Sequence, residues 1–534
     1  MLKKTKNWGH ISGWQIFLTL LITTLTTAAV EGATGTVNYN TVYQQLEGFG
    51  GAAVYDCPNL TTHTKKDEIY NLLFRDLGIE ILRIRNTYGY SDSGANLAAT
   101  AAIIAVARDP NHTPNLKIEL VPWSPPSYLK SNGNENSGGT LAKSGGVYVY
   151  NAYADWWYNS LLAWEANGVV PDFISIQNEP DCFTNYDSCR FNPTEADANA
   201  GYDQAFQAVY NKLNTEMGSS KPKMWAPCTM GIVNSQAYID ALNAIGQMGH
   251  IDGFSHHLYS DGNWYDTPDN FIPVMQSYKT NYGDYYGKPL NMTEYVKLST
   301  TPNFDMAWKF AWHIYNCLYY EHVNSYFNWT LFRYGSSSSG GIVTMDSSST
   351  YIIRPQYWYV KAYAHFTGKD WYVLNTSVGG MGSGGLRMSA FKDPDGDQLT
   401  VVILNTSSST SLTSLTLNGF TPCGSEVYQS YQDNYWVSLG AFSGSLTLPA
   451  YSITTIHMAR ADSLESDLNG DCYVNYKDLK IIADNWLRTD CTEPTNCGGA
   501  DFEPTDRTVD LFDFSDFASQ WLWCNNPIDP NCVK

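Results

Sequence analysis

Between residues 45 and 367 one pattern recurs eight times: a short β-rich apolar run, then a longer stretch with helical spacing. The strand runs fall at 46–53, 80–85, 117–122, 173–177, 223–227, 253–258, 290–294 and 325–330. The helical stretches fall at 65–76, 96–108, 149–167, 194–216, 236–247, 271–282, 304–320 and 356–366. Eight strand–helix units in series predict a (β/α)8 barrel over 46–367, since each helix covers the strand before it and eight strands close the sheet. A doubly wound open sheet has the same alternation, but it usually carries a Gly-rich phosphate loop after an early strand. The sequence offers none of convincing form.

The flanks read differently. Past residue 368 come short strand runs at 386–391, 399–405, 414–417, 426–431, 444–448 and 453–458, joined by turns such as Asp393-Pro394-Asp395-Gly396. They predict an antiparallel β-sandwich over 368–460, with the segment 33–45 adding one strand from the other side of the barrel. A linker at 461–466 leads to a compact acidic module over 467–534. At the other end, Lys3, Lys4 and Lys6 precede an apolar run over 16–30 that meets the small residues Ala28, Ala29 and Gly32. That order is a secretory signal peptide over 1–32, and the run is short of the ~20 residues a transmembrane helix needs. A signal anchor is the alternative. Export makes disulfides available to the cysteines: Cys182 and Cys189 are near enough to pair, five more crowd the C-terminal module, and the odd total of 11 leaves one over.

A formal net charge of −20 excludes a nucleic-acid binder, which needs cations to displace phosphate counterions. It suits a secreted protein that meets a neutral or weakly charged polymer. The 17 Trp and 38 Tyr serve either large cores or sugar-binding clefts, and composition does not separate the two.

In a (β/α)8 barrel the residues at the C-terminal strand ends face the active site. Glu179 ends the fourth strand in Ser175-Ile176-Gln177-Asn178-Glu179-Pro180, and Glu294 ends the seventh in Leu290-Asn291-Met292-Thr293-Glu294-Tyr295. Two carboxylates facing across one cleft are what glycoside hydrolysis requires: one protonates the leaving oxygen, the other attacks the anomeric carbon or activates water. His256 and His257 do not read as a metal pair, because adjacent strand side chains point to opposite faces. No catalytic metal is expected.

These blocks resemble glycoside hydrolase family 30, most of all its bacterial xylan-cleaving branch. The likeness is carried by Leu46-Glu47-Gly48-Phe49-Gly50-Gly51, Leu82-Arg83-Ile84, Pro122-Trp123-Ser124-Pro125-Pro126, Asn178-Glu179-Pro180-Asp181, Tyr186-Asp187-Ser188-Cys189, Met292-Thr293-Glu294 and Leu448-Pro449-Ala450-Tyr451-Ser452-Ile453. It spans roughly 36–460. The resemblance implies a retaining enzyme with Glu179 as acid/base and Glu294 as nucleophile, their carboxyls about 5–5.5 Å apart. It implies Asn178 on the sugar 2-hydroxyl, Arg83 beside the nucleophile, Tyr259 orienting Glu294, and Trp123 and Trp329 as sugar platforms. Arg333, after the eighth strand, stands where that branch holds a glucuronate carboxylate, although Phe332 replaces one of the branch's paired arginines. The expected activity is endo-β-1,4-xylanase, possibly directed to glucuronoxylan. A β-1,6-glucanase, a galactanase, and a non-catalytic carbohydrate-binding protein are the alternatives.

In the C-terminal module, Asp467, Asn469, Asp471, Asn475 and Asp478 put oxygen ligands at positions 1, 3, 5, 9 and 12 of an EF-hand-like loop, with the Tyr473 carbonyl at position 7. Cys472 replaces the glycine that eases the turn. A second, weaker copy contains Asp506, Asp510 and Asp513; starting at Asp501, it is one residue too long and carries Pro504. Two such loop–helix repeats resemble a type I dockerin, which implies structural calcium and a cohesin-bearing scaffold or surface protein as partner.

Overall fold

The computed structural model describes residues 32–90, 93–196, 198–262, 267–296, 304–335, 340–461, 463–492, 495–503, 506–527, 529, 531 and 532. Residues 1–31 of the expected signal peptide, the Ser-rich stretch 336–339 after Arg333, and Pro504 lie outside the described residues. Among the described residues, no helix is long and apolar enough to cross a membrane.

Eight parallel strands close a barrel: Gly48–Ala53, Ile81–Arg85, Lys117–Val121, Phe173–Ser175, Lys223–Thr229, Gly253–His257, Leu290–Tyr295 and Ser325–Asn328. The eighth strand returns to the first with Ser325 opposite Gly48. Every strand expected from the sequence is therefore present, in the expected order. The helix expected at 194–216 starts later, at Tyr202, because 191–201 is tied down by a two-residue pairing of Phe191–Asn192 with Ala200–Gly201.

Alternation along each strand sorts residues to two faces. Leu82, Ile84, Ile118, Leu120, Ile174 and Met292 point outward into one apolar core shared with the surrounding helices. Inside, Ile81, Phe173, Trp225 and Phe327 form a separate plug. Gly50 makes room for that plug, since a Cβ there would lie 2.4 Å from Phe327. Farther along the same strands the interior turns polar: Arg83 and Glu119, opposite each other in register, are both fully buried. The barrel is thus filled by apolar packing below and by charge immediately beneath the cleft.

The side domain is a nine-stranded sheet, antiparallel except for one pair. Ala33–Gln45 joins it as expected, antiparallel to Tyr372–Gly380 and parallel to Thr410–Asn418. One face of the central strand Gln398–Asn405 sends Val401 and Ile403 into the sandwich core; the other sends Val402 and Leu404 into the barrel core. Burial of both faces fixes the sandwich against the barrel.

The C-terminal module has its own small core, which includes Leu464 from the segment read as a linker, with Val474, Ile482, Val509 and Phe517. Its helices Tyr476–Asp484 and Leu511–Ser519 each begin with a capping box, Asn475 with Asp478 and Asp510 with Asp513. Disulfides join Cys491 to Cys497 and Cys524 to Cys532, while Cys423–Cys472 ties the module to the sandwich. The suggested Cys182–Cys189 pair is not formed; both are free thiols. Cys189 is buried in the core beside Tyr153 and Phe191, whereas Cys182 lies half-exposed.

Candidate active site

Glu179 follows the fourth strand in a left-handed conformation, φ 44°. Such a conformation is costly for a residue with a Cβ and persists only where the surroundings hold it. Here the Glu179 amide donates to the Cys228 carbonyl at 2.9 Å. Cys228 is itself left-handed, φ 63°, and is the extra residue of a bulge where Pro227 pairs with Ser255 and Thr229 with His256. A second register shift between the sixth and seventh strands sets His257 opposite Glu294. Bulges of this kind re-aim side chains at the ends of barrel strands.

As a result, one carboxylate oxygen of Glu179, one of Glu294 and a ring nitrogen of His257 lie within 4.8 Å of one another. They open on a cleft of about 520 Å3 that is also lined by Trp123, Trp329, Tyr259 and Arg333. The two Trp rings sit 5.6 Å apart between centroids, tilted by 35°. Arg83 and Asn178 lie just below the cleft. Arg83 Nη1 donates to Glu294 Oε2 at 2.5 Å, and its Nη2 donates to Asn178 Oδ1 at 2.7 Å. The second contact turns the amide NH2 of Asn178 away from the arginine. Tyr259 donates to Glu294 Oε1 at 3.2 Å. The structure thus brings Glu179, Glu294, Asn178, Arg83, Tyr259 and the two Trp to one place.

The two carboxylates are supported differently. Burial, followed by the charge of Asp181, pushes Glu179 up to about 8, with Arg83 opposing. Burial also raises Glu294, but Arg83, hydrogen-bonded to it directly, pulls it back. The environments therefore favour a protonated Glu179 beside a charge-paired Glu294, the division of labour an acid and a nucleophile need.

Several contributors were not assigned from sequence. His257, considered only as a metal ligand, has Nδ1 2.9 Å from Glu179 Oε1, and burial lowers its pKa to about 3. His256 points to the opposite face, 2.9 Å from Glu321, as strand geometry requires. Glu119 braces Arg83 from below at 3.2 Å. Asp187 lines the cleft and is held by Arg85 at 2.5 Å, with Tyr55 beside it. Arg333 reaches the cleft wall, but its Nε donates to Asp56 at 2.9 Å and its guanidinium lies over the Tyr55 ring. His257 stands at a strand end, but a bulge decides where it points; Asp187 and Tyr55 sit in loops where no strand-end rule applies.

Comparison with known proteins bears on the side sandwich and on the fold. Residues 374–456 match the glycosyl hydrolase family 30 beta sandwich domain. The chain is 25% identical over 414 residues to endo-1,6-beta-D-glucanase neg1 of Aspergillus fumigatus, covering 68% of this chain and 79% of that one. Among solved structures it resembles the catalytic domain of GH30 xylanase C from Talaromyces cellulolyticus, with TM-score 0.63 and 21% identity over 80% of this chain and all of that one. It also resembles the endo-beta1,6-glucanase BT3312, with TM-score 0.60 and 18% identity over 81% of this chain and 96% of that one. A barrel that gathers two carboxylates at its strand ends, in a chain with these relatives, is that of a glycoside hydrolase. The side sandwich matches the glycosyl hydrolase family 30 model, and the barrel and sandwich together share the fold of these solved structures.

Proposed function

We propose that this is a secreted, retaining endo-glycosidase whose substrate is β-1,6-linked glucan. The short gap between carboxylates carries the retaining part. An inverting enzyme leaves about 6.5–9.5 Å for a water, whereas a nucleophile acting directly on the sugar needs about 5–5.5 Å; here carboxylate oxygens approach within 4.8 Å. In the first step Glu179 gives its proton to the glycosidic oxygen as Glu294 attacks the anomeric carbon, forming a glycosyl ester and releasing the leaving chain. In the second step Glu179, now ionised, takes a proton from water, whose oxygen displaces Glu294. The Asn178 NH2 group donates to the 2-hydroxyl, and Trp123 and Trp329 supply faces for the sugar rings.

The choice of glucan over xylan rests on the likeness to endo-1,6-beta-D-glucanases over two thirds of the chain. The setting of Arg333 adds to it: paired with Asp56 and stacked on Tyr55, this cation is already neutralised and offers little to a glucuronate. An endo-β-1,4-xylanase is the second reading, favoured by the likeness of the fold to xylanases. Product analysis on β-1,6-glucan, glucuronoxylan and unsubstituted xylan tests both, with Glu294→Gln as control. Oligosaccharides from the glucan alone are expected; xylo-oligosaccharides alone would replace this reading with the second.

For the C-terminal module we propose structural calcium and docking to a cohesin-type partner that anchors the enzyme to a scaffold or cell surface. The donor set fits calcium. Carboxylate oxygens of Asp467, Asp471 and Asp478 lie within 4.8 Å of one another, and Asn469 adjoins Asp478. In the second loop both carboxylate oxygens of Asp501 are buried without a hydrogen-bond partner, beside Asp513. Asp501 is therefore a ligand to add to Asp506, Asp510 and Asp513. Calcium would neutralise these acids and hold the loops closed.

A further inference from the structure

Beneath the two carboxylates lies one buried thiol, and its contacts lead to both. Cys228 Sγ is 3.4 Å from Arg83 Nη2, the arginine paired with Glu294. It is 3.5 Å from His257 Nε2, on the ring whose Nδ1 faces Glu179. It is also 3.8 Å from Thr293 Oγ1, whose hydroxyl donates to the His256 carbonyl. The bulge and the left-handed backbone of Cys228 place the sulfur there.

The hydrogens can be assigned by elimination. Arg83 only donates, so toward Arg83 the sulfur accepts. Burial pushes the Cys228 thiol up to about 12, so it keeps its own hydrogen. His257 is held neutral by the same burial, so its ring carries one hydrogen. Whenever Glu179 is ionised its carboxylate accepts only, and His257 Nδ1 must be the nitrogen that donates to it. Nε2 is then a bare acceptor, buried, with the Cys228 sulfur 3.5 Å away.

We infer that the thiol of Cys228 is a positioning group that sets the tautomer of His257, its S–H donating to Nε2 so that Nδ1–H points at Glu179. This rests on the acid/base role proposed for Glu179. The consequence is directional. With Nδ1–H fixed, the proton of the acid form of Glu179 sits on the oxygen turned to the cleft and goes to the leaving group. With the other tautomer, Nδ1 accepts, and Glu179 spends its proton on the histidine.

Nitrogen-15 NMR of histidine-labelled full-length protein reads the tautomer without any substrate, with His257→Asn identifying the signals. Nδ1–H is expected in the wild type and in Cys228→Ser, whose hydroxyl also donates. Cys228→Ala is expected to give Nε2–H or a mixture, and a fall of about 10-fold or more in kcat on the polysaccharide, with KM little changed, that Cys228→Ser restores. An Nε2–H tautomer in the wild type overturns the inference, and so does an unchanged Nδ1–H tautomer in folded Cys228→Ala. If Cys228→Ala does not fold, the wild-type spectrum still decides. If the tautomers behave as expected but Glu179→Gln keeps full activity, the acid/base assignment fails while the role of Cys228 toward His257 stands.

Discussion

Two glutamates of the same kind are made different by what surrounds each. Glu179 has burial, a nearby Asp181 and a neutral histidine, and holds its proton to about pH 8. Glu294 has burial offset by a direct arginine. A general acid must be protonated, so kcat/KM is expected to fall as pH rises through about 8. In Glu179→Gln that alkaline limb should vanish together with about 10²–10⁴-fold of the rate on polysaccharide, read from pH–rate profiles. Arg83→Met leaves Glu294 and Glu119 as unpaired buried acids, a loss of about 3–5 kcal/mol by analogy with broken buried pairs. Chemical denaturation checks that figure, and the acid limb of the pH–rate profile should move upward. Glu179 and Glu294 were legible because strand ends of a barrel are a topological address. His257 and Cys228 were not, because single-residue bulges decide where they point, and a bulge leaves no periodic signal.

At the scale of elements, sequence reading succeeded where burial imposed a period. All eight barrel strands have an outward apolar face and were found. The strand Asn434–Gly440 was missed because it is an edge strand, mostly exposed, with no buried face to create alternation. Tyr372–Gly380 was missed too; it runs into Gly379 and Gly380, and its second half is poorly buried. Gly50 tests the packing directly. Gly50→Ala places a methyl against Phe327 in the barrel plug and should cost about 1–3 kcal/mol by overpacking, measured by thermal or denaturant unfolding.

At the scale of the whole molecule, the barrel and sandwich share buried residues, and a disulfide fastens the C-terminal module to the sandwich. The sequence singled out Cys472 as an oddity at the glycine position of the first loop; its partner, Cys423, lies 49 residues away and could not be chosen from spacing. Cys423→Ser should leave glycosidase activity intact while making the segment 461–466 sensitive to limited proteolysis. Chelation should speed hydrogen exchange around 467–478 and 501–513 and leave the barrel unchanged. Double displacement by Glu179 and Glu294 on β-1,6-glucan is the activity we propose for the whole chain. Proton NMR of the newly formed reducing ends during hydrolysis of that glucan tests it most directly: the β anomer should appear first and only later equilibrate, whereas α first, or no cleavage of this glucan at all, would contradict it.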